Sequence, residues 1–303
     1  MEDTATFALP TVPTMTGNCW YGEKEGLDST VLHIMKSLIF AFVLGCSCTV
    51  IALQEQENVP SVGKMDGLSF ALDLSQSVSE SSFACIREYG YTLVFLRCYS
   101  PDGEGQVDIA AVFNIQNADS VGLGTEVYMR PQPNSEKTGA QQLDEAYNYL
   151  TISGIRIVTV WIQVTSPINW STNIARNVDF INSIAARAKE YGLRVGIYTN
   201  YYDWSQITNG AVLGNTMLWY WNVYGSGVPG ESQPTFKDFR PFAGWSAPAV
   251  KQFAQVEYVC GVAVNRDVYP TSSLMTLAGV AEFAKTKQIV VGVLGLRNTT
   301  SVR

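Results

Sequence analysis

The sequence predicts an α/β fold: a single, irregular TIM-like (β/α) barrel, with strands separated by helices and turns. Three observations carry that expectation. From Leu68 onward, short apolar or β-branched runs recur along the chain. Between several of them lie longer stretches whose apolar residues repeat at helical spacing. Gly90, Gly122, Gly154 and Gly192 each stand just ahead of a strand, where a helix is commonly stopped.

The first strand is Leu68–Leu74, the second Tyr91–Cys98 and the third Leu123–Arg130. A helix over Ala140–Tyr149 leads to a fourth strand, Ile155–Val164. The helix Ile174–Tyr191 follows, with Val178, Ile181, Ile184, Ala185 and Ala188 on one face. Further strands are expected at Leu193–Thr199, Thr216–Tyr224, Phe253–Val256 and Val259–Val264. From Thr271 to about Lys285 the pattern is helical, so the domain spans residues 67–285 and residues 286–303 form a tail. No internal repeat and no low-complexity linker interrupts it.

Ahead of the domain, Met35-Lys36 precedes an apolar run, Ser37 to Leu53, with the small residue Ala52 near its end. That pattern fits a secretory signal peptide over residues 35–52. The run is shorter than the ~20 residues of a spanning helix, so no stable membrane anchor is expected. Residues 1–34 are either an extension ahead of a second start at Met35 or a cytoplasmic tail before a signal anchor. The sequons Asn169-Trp170-Ser171 and Asn298-Thr299-Thr300 agree with export. Cys46 and Cys48 would leave with the apolar run, and Cys19 lies upstream of it. The mature chain keeps Cys85, Cys98 and Cys260. Cys98 belongs to a strongly apolar strand and reads as buried, which leaves Cys85–Cys260 as the expected disulfide.

Composition narrows the chemistry. The net charge is -7 and only 16% of residues are charged, which argues against a nucleic-acid partner. The one histidine, His33, lies outside the mature domain. Histidine-based triads and histidine-ligated zinc are therefore excluded. Acid–base work falls to carboxylates, Tyr, Lys or Cys.

In a barrel of this kind, chemistry gathers at the C-terminal ends of the strands. The first strand ends in Asp73, which is either a site residue or a loop cap. The second offers Arg97, to hold a carboxylate or a sugar or to form an ordinary ion pair. The third places Glu126 and Tyr128 on one face, with Arg97 as a candidate partner for Glu126. The fourth places Trp161 and Gln163 on one face. Later strands end in Tyr198 and Asn200, then Trp219, then Asn265 and Asp267. Aromatic rings and side-chain amides are what a neutral sugar site needs; a packed aromatic core is the other outcome. Gly225-Ser226-Gly227-Val228-Pro229-Gly230 spells a phosphate-loop pattern, but no helix follows it and no phosphate role is assigned.

Taken together, these residues resemble glycoside hydrolase family 25 lysozymes, in the lysozyme-like branch found in protists and nematodes. The resemblance runs from about Gly67 to Pro270. It rests on Phe70-Ala71-Leu72-Asp73-Leu74-Ser75, on Val94–Tyr99, on Asp108 and Phe113 with Asn117-Ala118, and on Gly124–Tyr128. Its most specific part is Val195-Gly196-Ile197-Tyr198-Thr199-Asn200 followed by Trp204; Leu218-Trp219 and Gly261–Tyr269 complete it. The resemblance implies an irregular β/α barrel without metal or cofactor. It implies action on the N-acetylmuramic acid–N-acetylglucosamine bond of bacterial peptidoglycan; the expected partner is that polymer or another N-acetylated glycan, and the expected state a monomer. It also implies an Asp-x-Glu pair on the fourth strand, where this chain has Trp161 and Gln163, and an Asp on the last strand. A gap-free match puts Asn265 at that last position; a shifted one puts Asp267 there. An amide at 163 cannot protonate a leaving oxygen, so the chain is either a hydrolase with a substitute acid (Glu126, Asp203 or Asp267) or a weakened enzyme that holds glycan.

Overall fold

The computed structural model describes residues 61–273 and 288–294. Its strands are β1 (Leu68–Leu74), β2 (Leu93–Ser100), β3 (Gln106–Val107), β4 (Gly124–Met129), β5 (Ile155–Ile157), β6 (Thr159–Gln163), β7 (Arg194–Thr199), β8 (Thr216–Trp221), β9 (Val250–Val259), β10 (Val262–Pro270) and β11 (Ile289–Val291). The helices are α1 (Glu80–Glu88), α2 (Ala110–Ser120), α3 (Gly139–Ile152), α4 (Ile174–Glu190) and α5 (Tyr201–Thr208). The sheet runs β1-β10-β9-β8-β7-β6-β4-β2, with β3 on the edge of β2, and the β1–β2 pairing closes it into a barrel. Neighbours from β1 through β2, β4, β6, β7 and β8 to β9 are parallel; β10 is antiparallel to both β9 and β1. The expected α/β barrel is therefore what the chain forms.

Local chemistry sets the helix starts. Ser79, Thr138, Asn173 and Asn200 each accept a hydrogen bond from a backbone N–H of the first turn, and Thr138 with Gln141 forms a reciprocal capping box. Alternation along each strand then divides the apolar residues into two cores. Leu72, Val94, Leu96, Val127, Ile162 and Ile197 face outward, in one cluster with Phe83, Ile86, Ile115, Leu143, Ile181 and Ile184 of the helices. Leu93, Phe95, Tyr128, Trp161, Tyr198, Trp219 and Tyr269 face inward and fill the lumen.

Three expectations about elements are corrected. The strand expected over Ile155–Val164 is broken at Val158, so that β5 leaves the barrel and pairs with β11 while β6 stays in it. The strands expected at Phe253–Val256 and Val259–Val264 form one long hairpin instead. Its turn is Cys260-Gly261, with φ of 53° and 74°, the left-handed pair that a two-residue hairpin loop requires. Residues 289–291, inside the expected tail, are a strand of the fold. Cys85 is joined to Cys260, with Cα atoms 6.0 Å apart, and Cys98 is a buried free thiol that burial pushes up to about 12. The extension 1–34, the signal peptide 35–52, His33, residues 274–285 of the expected last helix and the Asn298 sequon lie outside the described residues.

Candidate functional site

The C-terminal ends of β1, β4, β6, β7 and β8 form the mouth of the barrel. Just inside it lie two carboxyl groups. Asp73 ends β1 opposite Asn265 of β10, and Asp267 lies one lumen position deeper, opposite Ala71. Asn265 Nδ2 donates to Asp73 Oδ1 at 2.9 Å, and Trp219 Nε1 donates to Asp267 Oδ1 at 2.8 Å. The second oxygens, Asp73 Oδ2 and Asp267 Oδ2, are buried and have no other donor among the described residues. The two side chains are within hydrogen-bond reach of one another. One proton shared by the pair would satisfy both orphans.

Burial pushes the Asp73 carboxyl up to about 7, against the hydrogen bonds from Asn265 and Asp267 that draw it down. Burial, and then the charge of Asp73, push Asp267 well above the carboxylate range. Both residues proposed for the last position of the resemblance thus contact Asp73: Asn265 by its amide, Asp267 by its carboxyl.

Gln163 ends β6 at the mouth, half-buried, and its Nε2 donates to Thr165 Oγ1 at 3.0 Å. Several expected site residues are engaged elsewhere. Trp161 and Trp219 are 0% exposed, so neither offers a ring to a sugar; both belong to the packed lumen, where they meet edge to face and Phe95 packs against each. Gly196 makes room for Trp161, because a Cβ there would sit 2.0 Å from its ring. Tyr128 is buried, with its hydroxyl 3.4 Å from the Leu74 carbonyl, and Tyr198 donates to Gln252. Arg97 is held by Asp108 at 2.7 Å, so it neither pairs with Glu126 nor is free for a ligand. Asn200 caps α5 through the Asp203 N–H.

Glu126 is excluded as a substitute acid by depth. It is fully buried, accepts from Trp161 Nε1 at 2.8 Å and from the Leu294 N–H at 2.7 Å, and so lies under the tryptophan layer rather than at the mouth. Asp203, also buried, accepts from Trp221 Nε1 at 3.2 Å. Among the described residues no cluster of three or more His, Cys, Asp or Glu is arranged to hold a metal ion.

Apart from Gln163, the open surface of the mouth is built by residues outside the expected site set. A groove of about 320 Å³ lies between the loops after β4 and β6, lined by Arg130, Gln132, Asn134, Gln163, Asn169 and Trp170 among others. Tyr201 and Tyr202, following β7, and Tyr224, following β8, are 66%, 64% and 74% exposed. Exposed rings just past strand ends in this fold were the available signal.

Comparison with known proteins agrees with this architecture. The family model described as Lysozyme-like protein 1 matches residues 64–253. The chain is 52% identical over 220 residues to Lysozyme-like protein 7 of Caenorhabditis elegans, covering 72% of this chain and 77% of that protein. It is 33% identical over 201 residues to "Probable GH family 25 lysozyme 2" of Dictyostelium discoideum, covering 66% of this chain and 90% of that protein. A family GH25 lysozyme structure from Aspergillus fumigatus shares the fold with a TM-score of 0.52 at 16% identity, over 72% of this chain and 99% of that one.

Proposed function

The chain belongs to the lysozyme-like branch of glycoside hydrolase family 25, and from that premise we propose that it acts on the glycan strand of bacterial peptidoglycan, as a monomer, at the mouth of its barrel. The observation that carries the proposal is the Asp73–Asp267 pair. Glycosidic cleavage needs a proton delivered to the leaving oxygen by a carboxyl of raised pKa. Position 163 holds an amide and Glu126 is sealed under Trp161. The pair lies just inside the mouth, Asp73 nearer to it and Asp267 one position deeper, and burial favours its protonated form.

Cleavage should be slow, because both Oδ2 atoms are buried and must be uncovered to reach substrate. Export of the protein is part of the proposal. It is supported by the Met35–Ala52 pattern and by the Cys85–Cys260 bridge, which suits an oxidising compartment. Such a protein serves antibacterial defence or the digestion of bacteria. A second reading, a protein that holds the glycan without cutting it, is favoured by Gln163 and by that same burial.

Turbidity clearing of a cell-wall suspension, run beside a pull-down on the same material, tests both. We expect slow clearing that falls ~100-fold or more in Asp73→Asn, the low end of what an acid catalyst contributes, and that survives Gln163→Ala. Pull-down without clearing selects the second reading. The absence of both clearing and pull-down overturns the two readings together.

A further inference from the structure

We propose that the groove between the loops after β4 and β6 is an anion subsite, in which Arg130 selects a carboxylate-bearing substituent of the glycan. This inference rests on the peptidoglycan reading above and adds what distinguishes that polymer from a neutral N-acetylated one.

Among the residues lining the groove only Arg130 is charged, in a chain whose net charge is -7. The other lining side chains are prolines, amides, Thr165, Ile168 and Trp170. The guanidinium of Arg130 makes no ion pair among the described residues, whereas Arg97, nearby on β2, is neutralised by Asp108. A half-exposed, unpaired guanidinium offers a planar fork of donors that matches a carboxylate.

The groove is also preformed. Gln132 Nε2 donates to the Pro101 carbonyl at 2.8 Å, while the Gln132 N–H donates to Gln142 Oε1 at 2.9 Å. Asn134 Nδ2 reaches across to the Asn169 carbonyl at 2.9 Å, tying the two walls together. Trp170 Nε1 donates to the Thr165 carbonyl at 3.0 Å, fixing the indole in the floor. Walls already tied lose little freedom when a ligand enters. Because Gln163 lines the same groove, a glycan whose bond lies at the mouth carries its neighbouring substituents into reach of Arg130.

Two parts of peptidoglycan supply the carboxylate. The lactyl ether of a peptide-free muramic acid ends in one. Where a stem peptide is attached, that carboxyl is an amide and the charge moves to the peptide. A chitin-type oligosaccharide has neither.

Titration calorimetry with the whole protein and three oligosaccharides of equal length separates the cases: chitin-type, muramyl without peptide, and muramyl with stem peptide. We expect the natural protein to bind at least one muramyl arm ~10-fold more tightly than the chitin-type arm. Arg130→Gln should erase that difference and leave the chitin-type affinity unchanged, and Arg130→Lys should restore part of it. The arm that Arg130→Gln weakens identifies the source of the carboxylate. Equal binding of all three arms by the natural protein, or an unchanged preference in Arg130→Gln, overturns the subsite and leaves the peptidoglycan reading standing. No binding to either muramyl arm overturns both.

Discussion

At position 163 a single oxygen-for-nitrogen exchange separates an acid from an amide. The surroundings of Gln163 would pull a carboxyl both ways: the half-buried strand end favours its protonated form, while the Arg130 guanidinium lining the same groove favours its charged one. Gln163→Glu, which puts a carboxyl back at the mouth, is expected to raise the cell-wall clearing rate by ~10-fold or more, the low side of what general acid catalysis supplies. A clearing rate equal to that of the natural protein, at unchanged melting temperature, would show that the glycan bond does not reach this side chain. Adding Trp161→Asp should not help. That position is fully buried and bonded to Glu126, so the change sets a second carboxyl against the first. Much at this scale was legible in the sequence, because alternation along a strand tells which face a residue shares. It set Trp161 and Gln163 on one face of their strand. Alternation does not tell depth: Trp161 and Gln163 share a face, yet one is sealed in the barrel and the other reaches its mouth. The sugar-facing roles expected of Trp161, Trp219 and Tyr198 failed for that reason. Arg130 and Tyr224 stand just past strand ends while Tyr201 and Tyr202 open α5, so no single period of the sequence marks them as one surface.

At the scale of elements, the closed end of the barrel depends on a segment that sequence patterns placed outside the domain. Strand β11 pairs in parallel with β5, and the chain then turns under the lumen. The Gly292 N–H donates to the Thr125 carbonyl at 2.9 Å, and Thr159 Oγ1 donates to the Gly292 carbonyl at 2.6 Å. The Leu294 N–H donates to Glu126, and its carbonyl accepts from Arg194 at 3.1 Å. A three-residue strand is too short to show a period, which is why the sequence did not reveal it. The Cys260-Gly261 turn was missed for a related reason: two continuous apolar strands meet there without a polar break. Gly292 is the sensitive point of the strap. Its φ is +88°, and a Cβ would lie 2.4 Å from the Thr159 nitrogen. Gly292→Ala is expected to cost roughly 2–4 kcal/mol by denaturant unfolding, through strain and the loss of bonds around Glu126. A change under ~0.5 kcal/mol, the size of an ordinary surface substitution, would mean that the strap contributes nothing to the barrel.

For the molecule as a whole, the dominant electrostatic fact is that its buried carboxyls favour the protonated form. Burial pushes both Asp73 and Glu126 up to about 7, and raises Asp267 well above its ordinary value and Glu257 above its own. A folded-state pKa above the unfolded one means that the folded chain binds more protons between the two values. Stability from these groups is therefore complete below the ordinary carboxyl range near 4 and is lost as pH rises through about 7. Asp238 works in the opposite sense. Burial alone would raise it, but hydrogen bonds from Lys251 and Asn222 prevail and hold it below its ordinary value, so its effect falls beneath this window. For Glu126 alone, moving from 4.5 to about 7 corresponds to roughly 3 kcal/mol between the two ends of the window. In a domain of this size each kcal/mol moves the midpoint by ~2–4 °C. Thermal melts should thus show a fall of at least ~5 °C between pH 5 and pH 8. Asp267→Asn separates the lumen pair from the rest. Its amide donates to Asp73 permanently, as the shared proton does, and keeps an oxygen for Trp219. The decline with pH should become shallower in that variant. A midpoint that rises from pH 5 to pH 8, or a decline that Asp267→Asn leaves unchanged, would place the pair's carboxyls in water rather than inside the barrel.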